Sequence, residues 1–419
     1  MLGQMIEDRI EDHNPESALA WLKRGYRLNR IKLAVGRRDY LPSQNYLSKI
    51  CMDAILNPLV HPERSCIVNI FMPGEVLQSF SLYPQFCEAF ACYLNGTKCE
   101  RVFIDWAEAN GVPETFCSYH KTLIGAAEAG LLPKPRFIAS TTMACDANIN
   151  TFRRLSEHYD CPLFIIDTPT TYDVEAVSYL ADQLRALVDF IAQNLHEKPD
   201  LEKLIASIRR ANRANALYRQ FLETLQTKEY PNNMTLEMYR IIPLQSLLGS
   251  RQSTEYFRLS AQDIKQCPDV DRTKTKRILW MHTLPFYQPW LKNFFADGKY
   301  NLVLCDLNFV NPLEPLDEAH PYEAIAKKLL TNTFNGRFEN RIQAVLQMAQ
   351  NLEVDGVIQL CHWGCKQSSG GAFLAKNALE ENGFPVLVLD GDGIDGRNLN
   401  EGQLRTRIEA FKEMLGVAR

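Results

Sequence analysis

The sequence predicts an α/β protein made of two open parallel-sheet lobes, joined by a helical segment and preceded by a helical arm. Three observations predict it. Short apolar runs bounded by turn residues recur in two sets, segments with helical spacing lie between the runs, and the stretch between the two sets carries helical spacing alone.

The first set is 66–72 (CIVNIFM), 101–106 (RVFIDW), 136–143 (RFIASTTM) and 163–167 (LFIID). The second is 277–283 (RILWMHT), 301–307 (NLVLCDL), 356–360 (GVIQL) and 386–390 (VLVLD). Runs this short and this apolar suit strands covered by helices on both faces. Helical patterns at 149–159, 322–331, 341–352 and 406–415 supply the crossovers. Between the sets, 174–195 and 201–227 show helical spacing with no strand pattern. They are split at Lys198-Pro199-Asp200, where Asp200 is placed to cap the second helix. The expected division is a helical arm over 1–55, a first lobe over 60–185, a helical segment over 186–270 and a second lobe over 275–419.

A chain of 419 residues has ample length for two or three domains. Hydrophobic residues make up 46% and charged residues 23%, ordinary values for a globular protein. The formal net charge of -4 and the lack of a long basic stripe argue against a nucleic-acid partner. The polar N-terminus lacks the apolar centre of a signal peptide. No run approaches the roughly 20 apolar residues of a membrane span. The expectation is a cytoplasmic protein with no membrane partner.

Twelve cysteines in such a chain are expected to be reduced. A reduced cysteine either packs in the core or binds metal. Open parallel sheets bind ligands on the loops at the carboxyl ends of their strands. Cys145 follows the run 136–143, and Cys365 follows 356–360, each ahead of a helix. Cys117 opens a helix after a polar loop. A helix N-terminus favours thiolate, the metal-binding form. Three such loops could hold three irons of a cube and leave the fourth open. Cys361, at a strand end, and Cys87 and Cys92, on a short helix, are weaker candidates that read first as packed. The remaining cysteines read as core or show no partner pattern. Glu75, in a Pro-Gly-Glu turn after a strand, is a candidate proton carrier or a first-turn helix carboxylate. His282, ending 277–283, is a candidate for facing the same crevice. His362 and Trp363 flank the Cys365 loop. Neither SSGG at 368–371 nor GDGIDG at 391–396 has the context of a nucleotide-binding loop.

At these residues the sequence resembles a known family. Residues 116–123 (FCSYHKTL), TTMACDANINTFRRLSEHYDCPLFIIDTP, DGVIQLCHWGCKQSSGGAFLAKNALEENGFPVLVLDGDGIDGRNL and 405–415 (RTRIEAFKEML) look like the 2-hydroxyacyl-CoA dehydratase and benzoyl-CoA reductase family. The Gly-Cys-Lys loop resembles the α-type subunits more than the smaller β-type ones.

The resemblance implies two flavodoxin-like lobes around a [4Fe-4S] cluster held by Cys117, Cys145 and Cys365, and an acyl-CoA substrate. It further implies a β-type homologous subunit, with a homodimer as alternative, and a separate ATP-dependent iron–sulfur activator. The implied activity is elimination of water from a 2-hydroxyacyl-CoA through a ketyl radical. One added electron makes the otherwise unreactive β-proton acidic. Cys361 and the His362–Trp363 pair depart from the usual dehydratase pattern. They leave room for an ATP-dependent reductase carrying a larger double-cubane cluster, with Cys361, Cys87 or Cys92 as further ligands. A non-catalytic iron–sulfur electron carrier is the third reading.

Overall fold

The computed structural model describes residues 1–416 other than 286 and 297. Eight strands form two four-stranded sheets among the described residues. The first contains β1 (Ser65–Val68), β2 (Tyr83–Phe86), β3 (Phe137–Thr141) and β4 (Leu163–Ile166), in the order β2-β1-β3-β4. The second contains β5 (Lys276–Met281), β6 (Tyr300–Cys305), β7 (Gly356–His362) and β8 (Val386–Gly391), in the order β6-β5-β7-β8. Every neighbouring pair is parallel. The two lobes therefore repeat one topology. In each, the chain reverses its direction of winding beside the first strand, which opens a crevice at the carboxyl ends of the strands.

Two elements of the first lobe differ from the sequence expectation. Residues 101–106 lie in the helix Glu100–Ala109, which buries Phe103, Ile104 and Ala107. Those positions share one helical face, and they outweigh the strand preference of Val102, Phe103 and Ile104. The strand in that place is β2, which was not expected because it contains Pro84. β2 is the sheet's edge, and it is there that a residue without an N–H is tolerated.

The N-terminal helices Leu2–Glu11, Pro15–Val35 and Pro42–Val60 form the arm. The last of them is buried along most of its length and runs past the expected boundary at 55 into the first lobe. The helix Val174–Leu195 likewise runs unbroken across the expected boundary at 185–186. It is followed by Leu201–Leu225, capped by Asp200, whose side chain accepts the Lys203 N–H. Among the described residues no helix is long and apolar enough to cross a membrane.

Candidate active site

The carboxyl ends of both sheets face one cavity of about 100 Å³. The loop after β1 brings Ile70 and Phe71, and the helix after β2 brings Glu88 and Cys92. The second lobe adds His282, His362 and Cys365, and the helical segment closes one wall with Met238, Tyr239 and Ile242. Carbon dominates this lining.

Cys117, Cys145 and Cys365 all line the cavity. Each stands directly before the first residue of a helix: Ser118–Glu128, Asp146–Tyr159 and Lys366–Ser369. The loops carrying Cys145 and Cys365 turn the same way. The residue before each cysteine, Ala144 (φ 66°) or Gly364 (φ 76°), is in the left-handed region. At Gly364 the requirement is double. A Cβ there would sit 2.7 Å from Thr115 O and 2.8 Å from Cys117 N. Absence of a side chain lets the Cys365 loop lie against the Cys117 loop.

Other bonds hold the same geometry. Ser118 Oγ donates to Asp392 Oδ1 at 2.6 Å, tying the Cys117 helix to the loop after β8. Buried Lys121 donates to Glu108 at 2.6 Å and to Glu114 O at 2.8 Å, which fixes the approach to Cys117. Arg341 donates through Nε to Asp306 Oδ2 at 2.8 Å and through Nη1 to Gln367 O at 2.9 Å. Asp306 in turn accepts the His282 N–H at 2.7 Å. One buried guanidinium thus supports both the His282 turn, where φ is 75°, and the Cys365 loop.

The electrostatics correct one expectation. Burial pushes the Cys117 thiol well above its usual range, with Cys365 and Cys145 adding to the effect. Burial, with Cys365 adding, pushes Cys145 up to about 12. Desolvation outweighs the helix N-termini at both, so these thiols stay protonated unless a positive group shares the cavity. Burial raises the Glu88 carboxyl to about 7. It depresses His120 to about 3, with His362 contributing, and holds His282 well below its usual value, with Arg341 and His362 contributing. Glu88 Oε2, His120 Nδ1, Asn148 Oδ1 and His282 Nδ1 are buried without a hydrogen-bond partner, and all four residues line the cavity. Such groups are rare in folded proteins and mark a place for a ligand or water.

The expected site residues therefore separate. Cys117, Cys145, Cys365 and His282 meet at the cavity. Glu75 is not among its lining residues. Its fully buried carboxylate accepts two bonds of 2.6 Å from Lys328 Nζ, joining the first lobe to the helix Pro321–Leu330. Cys361 is buried against Ser368 O, off the cavity. Cys87 is fully buried, and the nearby Cys117 and Cys145 help to raise its thiol. Trp363 is half-exposed, its Nε1 donating to Glu114 O at 3.4 Å, whereas His362 is buried beside Cys117. Glu88 and His120 were not singled out from the sequence. The helix bearing Glu88 follows the unexpected β2, so its carboxylate could not be placed at a strand end. His120 had one usable signal, its spacing one helical turn after Cys117.

Residues 69–415 match the family model of the 2-hydroxyglutaryl-CoA dehydratase D-component. The chain is 22% identical over 401 residues to the (R)-phenyllactyl-CoA dehydratase alpha subunit of Clostridium sporogenes, covering 89% of this chain and 95% of that one. It is 22% identical over 369 residues to the (R)-2-hydroxyisocaproyl-CoA dehydratase alpha subunit of Clostridioides difficile, covering 82% and 88%. It is 21% identical over 387 residues to the lactoyl-CoA dehydratase subunit alpha of Anaerotignum propionicum, again covering 82% and 88%. These relatives are named as dehydratases, enzymes of the lyase type. With the paired parallel sheets and the cavity between them, the match over most of its length means that this chain belongs to the 2-hydroxyglutaryl-CoA dehydratase D-component family, as an α-type subunit.

Proposed function

We propose that this chain is the α-type subunit of a 2-hydroxyacyl-CoA dehydratase that eliminates water through a ketyl radical after one-electron activation by a separate ATP-dependent iron–sulfur activator. The observation that carries this reading is the ring of Cys117, Cys145 and Cys365 around one apolar cavity. The donor set fits a [4Fe-4S] cluster. Thiolates are its natural ligands, and with one per iron they surround the group instead of meeting at a point. When bound, the cluster supplies a one-electron couple and an iron site open to substrate oxygen.

The chain's own residues do the rest. The apolar walls exclude water from a reactive intermediate. Glu88, with Oε2 unpartnered and its carboxyl raised to about 7, can hold or release a proton near neutral pH. Neutral His120 and His282 offer ring nitrogens that can orient a substrate oxygen without bringing a second positive charge. A β-type homologous subunit, or a second copy of this chain, completes the assembly.

Anaerobic loading with iron and sulfide tests the reading. A brown protein with about four irons per chain is expected for one cube, together with water elimination from a 2-hydroxyacyl-CoA once a β-type subunit, activator and ATP are added. A colourless protein that takes up no iron would overturn it. One observation favours a second reading, an ATP-dependent reductase with a larger double-cubane cluster: a fourth thiol, Cys92, also lines the cavity. About eight irons per chain would select it.

A further inference from the structure

His362 has no part in the proposed chemistry, yet it stands at the end of β7 with its side chain turned to Cys117. Its ring is buried, so both nitrogens need partners. The Gly393 backbone N–H donates to Nδ1 at 2.9 Å. A ring nitrogen that accepts carries no proton, so in the neutral imidazole the proton lies on Nε2. Nε2 is 3.3 Å from Cys117 Sγ, and only donation to sulfur satisfies it there.

Asp392 does not offer Nδ1 a competing bond. Its Oδ1 lies 3.7 Å from that nitrogen. That oxygen already accepts from Ser118 Oγ at 2.6 Å and from the Ile394 and Asp395 N–H groups at 2.9 Å. The ring is also held in place. Ser368 Oγ accepts the backbone N–H of His362 at 2.9 Å, which fixes the main chain, and the Tyr119 ring packs against the imidazole at 5.0 Å.

We infer that His362 donates its Nε2–H to the Cys117 sulfur and so sets the electron affinity of the cluster bound there. This rests on the proposed cluster and goes beyond it. A donor on a ligating sulfur withdraws charge from it, which favours the reduced, more negative state and raises the reduction potential. His362 acts through Cys117 and is a positioning residue.

Two conservative variants separate the ring's two bonds. His362→Asn keeps an acceptor near Nδ1 for Gly393 and removes the donor to sulfur. His362→Gln places an amide N–H near Nε2. The full chain is loaded anaerobically, its iron content measured, and its midpoint potential titrated by electron paramagnetic resonance. In His362→Asn the reduction equilibrium is expected to fall on the order of tenfold, about 59 mV for one electron. His362→Gln should stay close to the natural chain. A purely structural histidine predicts the reverse order, because Asn preserves the Gly393 contact. Iron-loaded variants with unmoved potentials, or with that reverse order, would overturn the inference and leave the cluster standing. A natural chain that takes up no iron would instead remove the cluster reading and the inference with it. If neither variant retains iron, pulsed resonance on the reduced natural chain labelled with ¹⁵N-histidine decides: a weakly coupled histidine nitrogen is expected, and its absence overturns the assignment.

Discussion

Single residues in this protein owe their roles to what burial leaves around them. Glu75 and Glu88 are both buried carboxylates, but Glu75 has Lys328 and Glu88 Oε2 has nothing. Glu75→Gln strands a buried ammonium and is expected to cost about 3–5 kcal/mol. It should leave single-turnover rates of the surviving folded enzyme unchanged. Chemical denaturation and rapid-mixing kinetics on one preparation check both. Glu88→Gln should lower turnover about 10²-fold. It should also change the pH dependence of stability in metal-free protein. The folded carboxyl titrates near 7 against an ordinary 4.5, so the folded chain binds this proton more tightly than the unfolded one. The resulting stability is full below about 4.5 and is lost as pH rises towards 7, on the order of 3 kcal/mol. His120 works the other way, since its depressed value makes stability rise with pH up to its ordinary 6.5. The difference between natural chain and variant in urea unfolding, taken across this range, isolates Glu88. Among the cysteines, Cys145→Ala should abolish iron retention. Cys161→Ala, beside Pro162 at the start of β4, should cost roughly 1–2 kcal/mol and keep the iron. Iron assays on both would show an exchange of roles if the assignment is reversed.

At the scale of elements, the site is a property of loops that turn sharply between a strand and a helix. Left-handed residues stand at Ala144 and Gly364, each immediately before a cavity cysteine. Gly364→Ala adds a Cβ under 3 Å from the Cys117 loop as well as an unfavourable φ. It should cost roughly 1–3 kcal/mol and lower iron retention. Gly383, also left-handed (φ 84°) but with open space around it, provides the control. Gly383→Ala should show the smaller φ penalty and full iron in melting and iron assays. The strand that contains Cys66 and the strands before Cys145 and Cys365 were readable in the sequence because each lies in a largely apolar run. β2 was not, since an edge strand of four residues containing Pro84 carries almost no pattern.

For the whole molecule, the lobes are joined by side-chain bonds, some of them buried. Glu75–Lys328 and Ser118–Asp392 are the buried ones, and nearer the surface Arg397 reaches Asp105 at 3.1 Å and Glu108 at 2.9 Å. These ties hold two sheets with their carboxyl ends facing each other. No Walker-type phosphate loop occurs in the sequence. The chain alone is therefore expected to show no ATP-coupled turnover, and to gain it on addition of partner subunit, activator, ATP and a strong reductant. Steady turnover by the isolated chain with a mild reductant would refute the multi-component reading.

What the sequence by itself determined is the local order of this protein: the apolar runs that make parallel strands, the helical spacings between them, and the three cysteines, each set at a helix's start and two of them on the loop after a strand. Those features are written in neighbouring residues, so period and turn chemistry suffice to read them. Only the tertiary structure decided which groups share the cavity. Glu88 and His120 reach it from elements the sequence did not mark, and Glu75, which looked well placed, is taken by a lysine 253 residues away. Burial sets the protonation of Glu88 and His120, and burial is a sum over both lobes that no single stretch of sequence contains.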